Sequence, residues 1–143
     1  MKAGITMATV FTICLGATLA FAGTMPNLVG DWKTSGNGGV VMGKLGHAEA
    51  TKTPQFTTSM PDFTLRITKQ DGERFHGERF SPKSKETVLG MIDDDGKSIY
   101  MVDDDGVFIC TYDKTKDSLK IRYMEPGKKS KVVAISVYTR VKK

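Results

Sequence analysis

The sequence predicts an all-β protein, an antiparallel up-and-down barrel of about eight strands. Short stretches that alternate apolar and polar residues recur along most of the chain, and this period is typical of half-buried strands. Closely spaced turns containing Gly separate them, which indicates sequential hairpins. No stretch shows the long 3.6-residue apolar period of an amphipathic helix. An open sandwich is the main alternative, but closure into a barrel removes the exposed sheet edges that promote aggregation.

Residues 1–22 have the features of a secretory signal peptide. Lys2 supplies a positive charge, residues 4–22 carry none, and Ala20-Phe21-Ala22 is a small-residue cleavage pattern. We predict that cleavage leaves residues 23–143 as a single barrel domain, periplasmic or secreted, with no transmembrane segment. An uncleaved membrane anchor is the alternative, since the uncharged stretch is almost long enough to span a bilayer.

Cleavage would also remove Cys14 and leave Cys110 as a lone thiol, so no disulfide could form within the chain. The apolar neighbours of Cys110 favour a buried position. The formal net charge of +5 falls to +4 without Lys2, the leader's single charged side chain. This mixed, moderately basic balance leads us to expect no nucleic-acid partner. Lysines near the C-terminus could attract anionic lipid or a polyanion, although a solvated surface is the simpler interpretation.

The first strand is expected at residues 28–33. A Gly-rich turn or bulge follows at residues 35–39, and a second strand at residues 40–45. Residues 46–60 form a long polar stretch with Pro54 near its middle, which predicts a long loop. Loops of this length in a compact domain are usually functional or mobile.

The remaining strands follow in close succession. We expect them at residues 63–69, 74–80, 86–92, 97–102, 107–112, 118–123 and 132–141. Gly90 lies inside one strand and suggests a bend or bulge. Two Asp-Asp-Asp-Gly turns, at residues 93–96 and 103–106, do not have the ligand spacing of a helix–loop–helix calcium site. Consecutive turns of a meander lie at opposite ends, so the two acidic groups should not meet.

The two ends of the predicted domain resemble the lipocalins and, more loosely, avidin-like barrels. The resemblance rests on Gly30-x-Trp32 in the first strand and on Arg140 in the last. It implies that the guanidinium of Arg140 lies across the Trp32 ring. It also implies that the long first loop covers an open mouth as a lid, although a disordered surface loop is an equal alternative. The expected function is binding of a small apolar or amphipathic ligand in the barrel lumen.

The apolar strand faces provide the candidates for such a site, because ligand pockets are mostly apolar. The residues that we expect to line the lumen are Phe63, Leu65, Ile67, Phe75, Met91, Met101, Phe108 and Tyr123. They could equally form an ordinary core, and a bulge at Gly90 would reverse the side to which its neighbours point.

Catalytic and metal-binding patterns are missing from the sequence. His47 and His76 are the only histidines, and with Cys110, the one cysteine outside the predicted leader, they do not make a structural zinc set. No motif marks an activated nucleophile, and no Gly-rich loop leads into a helix. We therefore expect no cofactor, no metal and no enzymatic activity. The alternative function is a protein-interaction module, such as a hydrolase inhibitor, that acts through its loops.

Overall fold

The computed structural model describes residues 25–47, 49–59 and 61–142, and the predicted signal peptide lies outside them. The described residues form one antiparallel sheet and contain no helix that is long and apolar enough to cross a membrane. The nine strands of this sheet are β1 (Gly30–Gly43), β2 (Thr51–Thr57), β3 (Thr64–Asp71), β4 (Arg74–Phe80), β5 (Lys85–Ile92), β6 (Ser98–Val102), β7 (Val107–Asp113), β8 (Ser118–Glu125) and β9 (Ser130–Arg140).

Eight of these strands close into a barrel. From β3 to β9 each strand pairs with the next in the sequence, and β1 pairs with both β3 and β9. The strand β2 lies outside this ring and pairs with the last residues of β1. The prediction of an up-and-down antiparallel barrel is confirmed. Closure gives every strand of the ring a paired neighbour on both sides, which an open sandwich would not do.

The chain from β1 to β3 settles one alternative and corrects two predicted elements. Of the turn or bulge expected at residues 35–39 the structure shows the bulge, with a register shift between Thr34 and Gly36, so the strands predicted at residues 28–33 and 40–45 form the single strand β1. A bulge bends a strand without ending it, which explains how this Gly-rich stretch stays paired. The predicted loop also contains β2, whose Pro54 is tolerated because the strand is paired on one edge only.

The barrel has two ends, which we name after a residue at each. The Trp32 end carries the β3–β4, β5–β6 and β7–β8 turns and the chain before β1. The Arg79 end carries the β4–β5, β6–β7 and β8–β9 turns. The two Asp-Asp-Asp-Gly turns therefore lie at opposite ends, as predicted. In the first of them Asp95 accepts hydrogen bonds from the backbone of Lys97 and Ser98, so it serves the turn itself.

The Trp32 end is closed as the resemblance implied. Trp32 is fully buried, and its indole N–H donates a hydrogen bond to Leu28 O at 2.9 Å. The guanidinium carbon of Arg140 lies 4.1 Å from the centre of the indole ring. Gly30 has a positive φ of 135°, and a Cβ there would point at Arg140. The Gly-x-Trp spacing thus leaves room for the arginine to cover the ring.

Hydrogen bonds fix Arg140 over the indole. Its guanidinium donates to Val29 O and Asn27 O, both at 2.8 Å, and to the Asp117 carboxylate at 2.7 Å. Burial alone would raise the pKa of Asp117, but hydrogen bonds from Arg140 and Tyr112 outweigh it and lower this pKa. The last strand, the β7–β8 turn and the chain before β1 are therefore joined at one point.

Candidate functional site

Seven of the eight predicted lumen residues point into the barrel. Phe63, Leu65, Ile67, Phe75, Met101, Phe108 and Tyr123 are all buried and belong to one hydrophobic core. The lone thiol Cys110 is buried among them, and burial raises its pKa to about 12. These residues fill the interior, so their role in ligand binding stays a prediction.

The placement of Met91 in the lumen is wrong. Its side chain is 52% exposed on the outer surface of β5, as is its neighbour Leu89. Gly90 takes the inward position between them, and a Cβ there would overlap the Phe75 ring. The residues around Gly90 are apolar on both faces, so the sequence contains no alternation from which the side could be read.

The inward side chains of the described residues pack into one core and leave a small cavity beside it. A cavity of about 30 Å³ lies at the Arg79 end, between the core and the chain that follows β1. Its walls include Val41, His47, Phe63, Arg79 and Tyr123. This volume would hold about one water molecule. A ligand of ordinary size could enter only if side chains at this end moved apart.

A buried group of charges closes the Arg79 end. Arg79 comes from β4, Glu86 from β5, Asp103 from the β6–β7 turn and His47 from the segment after β1. The Arg79 guanidinium donates a hydrogen bond to Glu86 at 2.8 Å. It also lies 2.9 Å from Asp103 Oδ2, a distance typical of an ion pair, although the contact is not directed as a hydrogen bond.

Three aromatic rings surround the same guanidinium. Its central carbon lies 4.7 Å from the ring centres of Phe63 and Tyr123 and 5.0 Å from that of Phe108. Such cation–π contacts are strongest when water is excluded. Among the described residues, Arg79 Nε has no hydrogen-bond partner, and this buried donor adjoins the small cavity. The interior therefore contains an aromatic cage whose cation is the protein's own arginine.

Burial and charge act in opposite directions on these groups. Burial would lower the pKa of Arg79, but the Asp103 and Glu86 carboxylates outweigh it and raise this pKa. Burial would raise the pKa of Glu86, and the hydrogen bond from Arg79 together with the nearby His47 ring reverses the shift. For Asp103, burial prevails over the attraction of Arg79 and raises the pKa to about 6. The positive charge is therefore permanent, while one of its two carboxylates titrates in mild acid.

His47 connects this group to the surface. Its Nδ1 lies 2.7 Å from Ser81 Oγ, and its Nε2 lies 3.0 Å from Glu86 Oε1. A serine, an imidazole and a carboxylate in a row can activate a nucleophile. Here Glu86 already neutralises Arg79, and Ser81 Oγ accepts a hydrogen bond from Lys83 N–H. We interpret the contact as a latch that fastens the segment after β1 over the barrel mouth.

The outer surface of β5, β6 and β7 carries an extended apolar surface outside the core. Six side chains stand in two cross-strand rows, Leu89–Val102–Val107 and Met91–Tyr100–Ile109. Each is between 41 and 57% exposed. The rows enclose an open groove of about 750 Å³, bordered at one side by Glu73, Asp93 and Asp94. Contiguous exposed apolar surface of this kind usually marks a binding site. We refer to it as the outer groove.

Comparison with known proteins gives no family for this chain. No model of a known protein family matches it, and no curated protein is significantly similar to it. The architecture is a closed antiparallel barrel of eight strands with β2 outside the ring, which is consistent with a lipocalin-like barrel and rests on the fold alone.

Sequence reasoning missed the charges at the Arg79 end and the outer groove. One signal was present for the charges. Arg79 is in phase with the inward residues Phe75 and Gly77, and Glu86 is in phase with Val88. Charged residues at inward positions of a strand are rare unless they are paired. The pairing itself could not be read, because Asp103 and His47 come from distant turns.

Proposed function

We propose that the protein is an exported, non-catalytic binding protein whose ligand is a small amphipathic molecule bound in the outer groove. The six exposed apolar side chains of the two rows carry this proposal. A volume of about 750 Å³ is within the range of small-molecule sites. The filled interior argues against the lumen, where the cavity is about 30 Å³.

The border of the outer groove suggests which amphipathic molecules fit. Glu73, Asp93 and Asp94 place three carboxylates beside Met91 and Tyr100, and Arg74 contacts Glu73 at 3.7 Å. The remaining negative charge favours a cationic head group on the ligand. An apolar body would lie between the two rows, where it removes the exposed side chains from water.

The proposal includes export of the protein and its relationship to the lipocalins. Residues 1–22 fit a cleaved signal peptide, which supports a periplasmic or secreted protein. The likeness to lipocalins is supported by the contact between Trp32 and Arg140 in a closed eight-stranded barrel. We propose that this barrel binds its ligand on the outer surface of the sheet, whereas the resemblance to lipocalins implied binding in the lumen.

Calorimetric titration with three amphiphiles of equal chain length tests the proposal. We would use dodecyltrimethylammonium, dodecyl maltoside and dodecyl sulfate below their micelle concentrations. The double variant Leu89→Ser/Tyr100→Ser removes apolar surface from both rows, and it should weaken binding at least tenfold. The matched control, Val29→Ser/Val137→Ser, changes exposed residues outside the outer groove and should bind normally. Absence of binding, or equal losses in both variants, would contradict the proposal.

A protein-interaction module is the second candidate, and the extent of the exposed apolar surface favours it. The two rows continue from β7 across β8 and β9 through Met124, Val133 and Ile135, interrupted by Arg122. A small ligand would cover only part of this apolar surface, whereas a protein partner could cover all of it. A photo-crosslinking residue at position 100 should capture a defined envelope protein if this candidate is right, and no protein if the ligand is small.

A further inference from the structure

We infer that a second surface, at the Arg79 end beside β2, docks the protein on an anionic lipid bilayer. This surface meets the end of one exposed row at Met124 and Val133 but lies outside the outer groove, and the inference does not depend on the proposed function. It combines an exposed aromatic side chain, an apolar groove and five lysines. We call it the lysine corner.

The apolar part of the lysine corner is centred on Phe56. This side chain is 89% exposed, far more than any other large apolar residue among those described. It stands on β2, which pairs with β1 on one edge only. Phe56 pairs across the sheet with Val40, and Val40 pairs with Val133, so the apolar surface continues onto the barrel.

A groove of about 500 Å³ extends this surface. Its apolar lining consists mainly of Val40, Met42, Pro54, Met124, Pro126 and Val133. Two charged residues are among the described residues that line this groove. Lys131 is exposed, whereas Glu125 is buried and accepts hydrogen bonds from Ser130 and Tyr123. An apolar surface that reaches an edge of the molecule in this way is suited to enter the boundary between head groups and acyl chains.

The charges around the groove select the kind of bilayer. Lys131 lines the groove, and four more exposed lysines belong to the segments that adjoin it: Lys44 after β1, Lys52 in β2, and Lys128 and Lys129 in the β8–β9 turn. The backbone N–H of Lys44 donates to Lys129 O at 3.0 Å, which joins the chain after β1 to the β8–β9 turn. Asp104 and Asp105 lie at the same end of the barrel and offset part of this charge without cancelling it.

Positive charge beside exposed apolar surface complements a bilayer with negatively charged lipids. Each lysine near such a surface strengthens binding through its attraction to the anionic head groups, and a polyanion alone would leave Phe56 in water. A second copy of the chain would place lysines against lysines if it docked corner to corner. The combination therefore favours a lipid surface over both of these occupants.

Vesicle sedimentation tests this inference on the protein purified after export, with its N-terminus verified by mass spectrometry. Binding to vesicles of phosphatidylcholine with phosphatidylglycerol should exceed binding to phosphatidylcholine alone by at least tenfold at low salt. Lys128→Gln/Lys129→Gln should weaken binding about thirtyfold. Phe56→Ser should weaken it about tenfold. The control Lys114→Gln/Lys116→Gln makes the same charge change at the Trp32 end and should alter binding less than twofold.

Three results would overturn the inference. One is equal binding to neutral and anionic vesicles. Another is equal losses in the corner variants and in the control. The third is a dimer in sedimentation velocity that dissociates in Phe56→Ser, which would assign this surface to a second copy.

Discussion

Both ends of the barrel are closed by an arginine lying on aromatic rings, yet the two closures differ in what surrounds the charge. At the Trp32 end, Arg140 lies at the rim and donates to two backbone carbonyls and to Asp117. At the Arg79 end, the arginine is buried with two carboxylates and three rings. The first closure joins chain segments with modest desolvation, while the second depends on complete pairing of charges removed from water.

This difference predicts unequal responses to mutation. When an arginine at the rim is removed, water and neighbouring side chains can bond to its former partners. The free energy of unfolding should therefore fall only moderately. A buried arginine leaves uncompensated carboxylates behind. The two ends therefore provide an internal comparison of similar contacts in different surroundings.

The largest expected effect is that of Arg79→Met. It keeps much of the side-chain volume but leaves Glu86 and Asp103 buried without a counter-charge, which should lower the free energy of unfolding by about 3–5 kcal/mol. Urea unfolding at neutral pH measures this. The triple variant Arg79→Met/Glu86→Gln/Asp103→Asn removes all three charges and should recover most of the loss. No recovery would mean that packing, rather than charge, explains the effect.

Arg140→Met should lower the free energy of unfolding by less, about 1–2 kcal/mol. It removes the stacking contact with Trp32 and charged hydrogen bonds at a partly exposed site. The same urea titrations allow direct comparison with Arg79→Met. Arg140→Lys keeps the charge without the planar fork and should be intermediate. A loss as large as that of Arg79→Met would remove the distinction between the ends.

His47→Ala should lower the free energy of unfolding by about 1 kcal/mol, since it removes the latch between Ser81 and Glu86. We expect the change to be local. Amide hydrogen exchange should accelerate at residues 44–47 and remain unchanged around Trp32. Uniform acceleration through the barrel would contradict the interpretation as a latch.

The last expected effect is a dependence of stability on pH that arises at the Arg79 end. Because the pKa of Asp103 is raised to about 6, the folded state holds its proton more tightly than the unfolded state does. Stability contributed by this group should therefore fall as pH rises from about 4 to about 6. The lowered pKa of Glu86 acts in the opposite direction, because its stabilisation is lost as the pH falls.

Asp103→Asn isolates this contribution. Wild-type stability minus that of the variant, measured by urea unfolding, should decrease between about pH 4 and 6 and then level off. A difference that rises with pH would show that Asp103 is ionised more easily in the folded state, contrary to the burial described here.

The Trp32 end could be predicted from sequence because its residues have distinctive positions, with Gly30 and Trp32 in the first strand and Arg140 in the last. The order of strands followed from alternation and turn residues such as Asp71-Gly72. The Arg79 end could not be predicted, because its charges come from four separate elements. The face of the sheet on which Met91 lies could not be predicted either, because apolar residues flank Gly90 on both faces.

A comparison of two side chains tests the central claim most directly, namely that ligand binds outside a filled barrel. Met91 lies in the outer groove, whereas Ile121 of β8 belongs to the buried core and does not line the groove. Methyl NMR of the protein labelled at Met and Ile methyl groups, during titration with dodecyltrimethylammonium, reports on both at once. We predict that the Met91 methyl signal shifts with saturating dependence while that of Ile121 stays in place. A shift of Ile121 alone would place the ligand in the lumen and contradict this account.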